Sequence, residues 1–156
     1  MSLYRNKEFY YDPTAGAALS HVASEERRKE RKANHIYRPL TYIVSPYAGD
    51  ILVNVEAARR YCRFAVDQGR IPLCSHLLYP QFLRDDDPEE RELGLFFGKI
   101  LMDHCKEVWI FSDGEFTPGM EAEYKRARRH LQKIRYFTTD CQETGGPGYG
   151  GADGPI

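Results

Sequence analysis

The chain has 156 residues, enough for one domain with a core of ordinary size. Its 22 basic and 23 acidic residues nearly cancel, so no net field draws it to nucleic acid or to an anionic membrane. Cys62, Cys74, Cys105 and Cys141 form no CxxC pair, and three of them sit in apolar runs. That pattern points to reduced thiols rather than to a metal site or a disulfide framework. No apolar stretch approaches the ~20 residues of a membrane span, and the N-terminus carries no signal-peptide pattern, so a cytoplasmic location is expected.

Residues Met1 to Tyr11 are polar and aromatic without a clear period. Phe9, Tyr10 and Tyr11 need a surface to cover them, which makes a homo-oligomer the expectation. Asp12 then reads as a cap and Pro13 as the first residue of a helix that runs to about Asn34 and ends in the charged run EERRKERK. Such a run is a solvated helix face, its glutamates diluting any basic patch. Residues 1–37 are therefore assigned to an N-terminal arm and helix, and 38–140 to an α/β domain.

Thr41 to Val44 is the first strand, followed by the loop Ser45-Pro46-Tyr47-Ala48-Gly49-Asp50. Asn54 is expected to open a helix to about Gln68, with Val55, Ala58, Tyr61, Cys62, Ala65 and Val66 on one buried face and Gly69 as its left-handed stop. Ile71 to Cys74 reads as a second strand, fully apolar as a buried parallel strand should be. Ser75 to Leu83 is expected to be a loop able to wall a stacked base, with the faces of Tyr79 and Phe82 and the edges of His76 and Gln81. No second His or Cys stands at ligand spacing, so neither a metal nor a cofactor is expected. Asp87-Pro88 starts a helix from Glu89 to about Cys105, its inner side carrying Leu93, Phe96, Phe97, Ile100 and Leu101; Glu89, Glu90 and Glu92 suit its dipole.

The organising stretch is Glu107 to Tyr124. Val108 to Phe111 is a buried strand, Ser112-Asp113-Gly114 a polar loop, and Pro118-Gly119 the start of a helix through Ala127 to Leu131, with Lys125, Arg126, Arg128 and Arg129 outward. Ile134 to Phe137 is the last strand. From Glu143 the tail holds six glycines and two prolines and is expected to remain flexible, so residues 141–156 are set apart. The alternation predicts a three-layer, Rossmann- or flavodoxin-like parallel sheet of about four strands in the order 2-1-3-4. That order brings Ser45 to Gly49 beside Asp113 to Glu123 at the topological switch point.

The succession strand, Asp113-Gly114, short loop, Gly119, three residues and Glu123 resembles the nucleoside 2-deoxyribosyltransferase family and its small relatives with a GMxxE signature. The resemblance implies that Glu123 is the nucleophile at the anomeric carbon and that Asp113 works near the base. It also implies that Ser45, Pro46, Tyr47, Gly49 and Asn54 hold the nucleoside or its phosphate at a helix start. His76, Tyr79, Gln81, Gly114, Gly119 and Met120 complete the expected ligand contacts. The family's helix aspartate has no counterpart, since Phe97 and Gly98 fall there, leaving Glu92 or Asp103 to substitute.

Cleavage of an N-glycoside passes through an oxocarbenium-like state that a carboxylate stabilises or captures as an ester. The base must leave as a stabilised anion or be protonated, which calls for a second acid: Asp113 first, Glu92 second. Glu121 lies roughly 200° around the helix from Glu123 and cannot share its site. The expected function is thus a nucleoside or nucleotide N-glycosidase or deoxyribosyltransferase. The alternative is a non-catalytic protein, of phage or mobile-element type, that sequesters a nucleotide or a signal such as cyclic ADP-ribose. A third reading is a DNA-handling or assembly accessory with a vestigial pocket.

Overall fold

The computed structural model describes residues 13–34 and 37–146. They form two units, divided between Tyr37 and Arg38. The first contains helix α1 (Pro13–Asn34). Asp12, its expected cap, and the aromatic run Phe9 to Tyr11 lie outside the described residues, as do residues 147–156.

The second unit alternates strands and helices: β1 (Leu40–Val44), α2 (Ile51–Asp67), β2 (Ile71–Leu73), α3 (Ser75–Leu78), a turn of 3-10 helix (Tyr79–Gln81), α4 (Pro88–Asp103), β3 (Glu107–Phe111), α5 (Pro118–Arg129), β4 (Lys133–Phe137) and β5 (Glu143–Thr144). The sheet order is β2-β1-β3-β4-β5, with the first four strands parallel and β5 antiparallel to β4. Successive side chains of a strand face opposite ways. Tyr42, Val44, Val108 and Ile110 therefore pack with Met102 of α4 and with Met120 and Ala127 of α5. Ile43, Trp109 and Phe111 pack on the other side with Ala58, Tyr61 and Ala65 of α2. This is the expected three-layer arrangement, with one more strand than expected.

Several boundaries differ from the sequence reading, each for a local reason. Helix α2 begins at Ile51, because the Asp50 side chain accepts from Val53 N at 3.3 Å and caps it there. Asn54 instead donates to the Tyr47 and Ala48 carbonyls at 3.0 and 2.9 Å, clamping the preceding loop. Val66 falls at the exposed edge of α2. Strand β2 is an edge strand, so Ile71 is 44% exposed rather than enclosed. The expected loop after it is α3 and a 3-10 turn, since the chain coils as soon as it leaves the sheet.

Helix α4 is rotated from its expected orientation. Gly98 and Met102 face inward, Phe97 and Leu101 are half-buried, and Leu93, Phe96 and Ile100 are exposed. At Gly98 the helix has no room for a large side chain, since even a Cβ there would sit 3.2 Å from the Tyr42 hydroxyl oxygen. Helix α5 stops at Arg129, and Leu131 adopts a φ of 53° with 92% of its surface exposed.

An ion cluster closes the bottom of the sheet. Trp109 Nε1 donates to Glu107 Oε2 at 2.8 Å, and Arg70 and Lys133 approach the same carboxylate at 3.3 and 3.1 Å. Burial alone would raise the Glu107 pKa, but the indole, Lys133 and Arg70 together hold it below the usual value. Arg135 lies 4.7 Å from the Trp109 ring and grips Glu143 through two bonds of 2.7 and 2.8 Å. That grip places Glu143 and Thr144 in β5, a segment expected to be part of the flexible tail.

Candidate active site

Adjacent pairing of β1 and β3 sets the loops at their carboxyl ends side by side. From β1 come Ser45, Tyr47 and Ala48. Beyond β3, Thr117 caps α5 by accepting from Met120 N at 3.3 Å, with Pro118 in the first turn where its lack of an N–H costs nothing. Thr117, Gly119, Met120 and Glu123 face the β1 loop across a cavity of about 340 Å³. His76 of α3 and Arg91, Leu95 and Lys99 of α4 close its remaining sides.

Glu123 stands in the second turn of α5 and lines this cavity, its carboxyl desolvated although the residue keeps some exposed surface. Its Oε1 lies 3.0 Å from the hydroxyl of Tyr42, and that hydroxyl lies 3.0 Å from Ser75 Oγ. One phenolic proton cannot serve both neighbours. It goes to the carboxylate, and the Ser75 hydroxyl donates to the phenol oxygen. Burial pushes the Glu123 pKa up to about 7, against the opposing pull of the Tyr42 bond. Near neutral pH the group is therefore present in both protonation states.

Two further polar atoms bear on the cavity wall. Ser45 Oγ and His76 Nδ1 are buried with no hydrogen-bond partner among the described residues, and both residues line the cavity. Buried polar atoms are nearly always paired, so a polar ligand atom is the natural complement of each. His76 packs on the Tyr47 ring at 4.8 Å, and burial lowers its pKa to about 4, which keeps the imidazole neutral. Among the described residues there is no cluster of three or more metal-ligating side chains.

Of the residues singled out from sequence, the cavity brings together Ser45, Tyr47, His76, Gly119, Met120 and Glu123. Pro46 and Gly49 shape the β1 loop without lining it, Gly49 through a φ of 97°. Gly114 does the same in the β3 loop with a φ of 122°. Tyr79 walls a small side cavity of about 80 Å³ that shares Tyr47, His76 and Arg91 with the main one. Gln81 points away and donates to the Leu77 carbonyl.

Asp113 accepts from Thr139 N at 3.0 Å and Thr139 Oγ1 at 2.7 Å, bonds that hold its pKa low. Glu92 lies on the exposed face of α4. Asp103 pairs with Arg126 at 2.8 Å and stands 3.6 Å from His130. None of the three lines the cavity. Sequence reasoning missed Tyr42, Ser75 and Lys99; the one available signal was a tyrosine, with its polar tip, inside the otherwise apolar Leu40-Thr41-Tyr42-Ile43-Val44 strand.

Residues 39–137, more than half of the chain, match the family described as Domain of unknown function (DUF7768). The chain belongs to this family. No curated protein matches it. The DUF7768 fold is similar to that of the 2-deoxyribosyltransferase from the psychrotolerant bacterium Bacillus psychrosaccharolyticus. The two are 15% identical with a TM-score of 0.51, over 64% of this chain and 72% of that one. At that identity the likeness is one of fold: it supports a distant 2-deoxyribosyltransferase-like α/β architecture and does not extend to the GMxxE motif. Among the described residues no helix is long and apolar enough to cross a membrane.

Proposed function

We propose that this DUF7768 domain acts on the N-glycosidic bond of a nucleoside or nucleotide, with Glu123 as the nucleophile. The observation that carries the reading is the Glu123 carboxyl, held by Tyr42 at 3.0 Å inside a cavity large enough for a nucleoside. A buried carboxylate facing an anomeric carbon stabilises the positive charge that develops there, or captures the carbon as an ester. Ser45 Oγ and His76 Nδ1 supply polar contacts, and the Tyr47 ring supplies a stacking surface. Asp113, ionised and engaged by Thr139, serves in this reading as a brace between the β3 loop and the end of β4.

The test is incubation with a panel of nucleosides, nucleotides, NAD and cyclic ADP-ribose, with mass analysis of the solution and of the protein-bound fraction. Free base in solution, abolished by Glu123→Gln, is the expected result. A second reading is favoured by the absence of another carboxylate among the described residues of the cavity: a protein that binds and sequesters a nucleotide or an ADP-ribose-type signal. An unaltered nucleotide retained on the protein, with no base released at any protein concentration, would establish that reading and exclude the catalytic one.

A further inference from the structure

A second concavity, of about 690 Å³, lies between α4 and α5. Its walls are Lys99, Tyr124 and the basic run Lys125, Arg126, Arg128 and Arg129. Lys125 is partly offset by Glu121 at 3.5 Å, and Arg126 by Asp103 at 2.8 Å. Arg128 lies over the Tyr124 ring at 5.9 Å, while Lys99 and Arg129 have no ion-pair partner among the described residues. The groove therefore keeps a surplus of positive charge. Lys99 and Ala122 line both this groove and the Glu123 cavity, so the two adjoin.

The cavity, unlike the groove, is lined by a carboxylate as well as by cations. Glu123 is the one carboxylate lining it among the described residues; of its two cations, Arg91 is offset by Asp85 at 4.0 Å and Lys99 is shared with the groove, while Tyr47 offers an aromatic face in the same cavity. A ligand that matches both carries a cationic ring at one end and phosphate at the other. We infer that the substrate is a pyridinium N-riboside bearing phosphate on its sugar, the chemistry of a nicotinamide nucleotide, with the ring beside Tyr47, the anomeric carbon at Glu123 and the phosphate in the Lys99–Arg129 groove. This inference rests on the catalytic reading of Glu123.

The chemistry balances without a second acid. A Glu123 oxygen attacks the anomeric carbon, and the C–N electron pair leaves with the ring nitrogen, discharging its positive charge, so the base departs neutral. Water then attacks the same carbon of the glycosyl ester, frees the carboxylate and passes one proton to solvent. A purine or pyrimidine would instead leave as an anion and need a proton donor. A cationic ring beside Glu123 also favours the ionised carboxylate that burial disfavours.

The test incubates the full chain with NAD, nicotinamide mononucleotide, nicotinamide riboside, 2′-deoxyadenosine and its 5′-phosphate, and measures free base by chromatography. Nicotinamide is expected from both nucleotides about tenfold or more faster than from the riboside, and adenine more slowly still. In Arg128→Glu/Arg129→Glu the nucleotide-to-riboside rate ratio should fall toward one. In Arg59→Glu, on the exposed face of α2, the ratio should persist, which separates the groove from a general change in net charge. Arg128→Gln/Arg129→Gln repeats the measurement if charge reversal impairs folding. Adenine released as fast as nicotinamide overturns this inference and leaves the Glu123 reading standing. A phosphate preference that survives both double variants overturns the groove assignment. Release of no base from any compound overturns both readings.

Discussion

A Cβ placed on Gly98 of α4 would sit 3.2 Å from the hydroxyl oxygen of Tyr42 in β1. The same atom would meet Ser75 Cβ at 3.3 Å. Since the Tyr42 hydroxyl is itself 3.0 Å from Glu123, strand β1 and helices α4 and α5 converge on one phenol. The absence of a side chain at Gly98 leaves room for the Tyr42 hydroxyl that holds Glu123.

Gly98→Ala should therefore be costly despite alanine's higher helix propensity. Overpacking of this kind destabilises by about 1–3 kcal/mol, and it presses on the atoms that orient Glu123. Gly94→Ala is the internal control, because its Cβ would meet only the Leu83 Cδ1 end at 3.4 Å and Tyr79 Cβ at 3.8 Å. Urea denaturation of the two variants should separate them, with Gly94→Ala near neutral or stabilising. A Gly98→Ala protein as stable as the parent would show that α4 can retreat freely.

Glu123 makes stability depend on pH in an unusual direction. Its folded pKa of about 7 exceeds the ordinary 4.5, so the folded state holds a proton that the unfolded state releases. This group opposes folding increasingly as pH rises from about 4.5 to about 7, and the penalty is then constant. Discounted for partial exposure, the change is on the order of 2 kcal/mol. Glu123→Gln should accordingly gain stability relative to the parent between about pH 4 and pH 8, by melts at matched ionic strength. An equal offset at both ends would mean that the carboxyl titrates normally.

Tyr42→Phe removes the one hydrogen bond that pulls the Glu123 pKa down. In the proposed reaction Glu123 attacks as the carboxylate, so the rising limb of kcat/KM against pH, expected near pH 7 in the parent, should move to higher pH. A uniform loss of rate with an unmoved limb would assign Tyr42 a packing role alone. His76, neutral with a pKa of about 4, should contribute no inflection between about pH 5 and pH 9.

Glu107 anchors the opposite end of the sheet. Its depressed folded pKa contributes stability that is present above the unfolded value of 4.5 and lost as pH falls through the folded one. Glu107→Ala leaves the buried Trp109 N–H without its acceptor and Arg70 and Lys133 without their shared partner. A loss of about 3 kcal/mol is expected in denaturant titration. The variant should also lose much of the parent's acid sensitivity; retention of that sensitivity would place its source elsewhere.

Asp113→Ala removes both bonds to Thr139 and should cost about 1–2 kcal/mol. Base release at saturating substrate should fall far less than in Glu123→Gln. A loss as deep as that of Glu123→Gln, in a variant that still folds, would return Asp113 to the reacting centre.

The layers, the parallel order β2-β1-β3-β4 and the neighbouring loops of β1 and β3 were legible along the chain. They follow from short apolar runs alternating with helix-period segments, which local physics and right-handed crossovers convert into one topology. Glu123 was legible for the same reason, as the carboxylate of a helix restarting beyond a strand. Helix ends were less so: Asp50, not Asn54, caps α2, a choice settled by one side-chain bond. What only tertiary structure decided is the environment of the carboxylate. Tyr42 is 81 positions from Glu123 in the chain, and Gly98 lies between them on a third element. The rotation of α4 that exposes Phe96 and buries Gly98 depends on which residue fits against the Tyr42 phenol, a matter of close packing that no periodicity records. Asp113 and Glu92, attractive by spacing, lie outside the cavity because their side chains find Thr139 and solvent. Sequence specifies the elements through interactions between near neighbours, while the site arises from contacts among residues far apart in the chain.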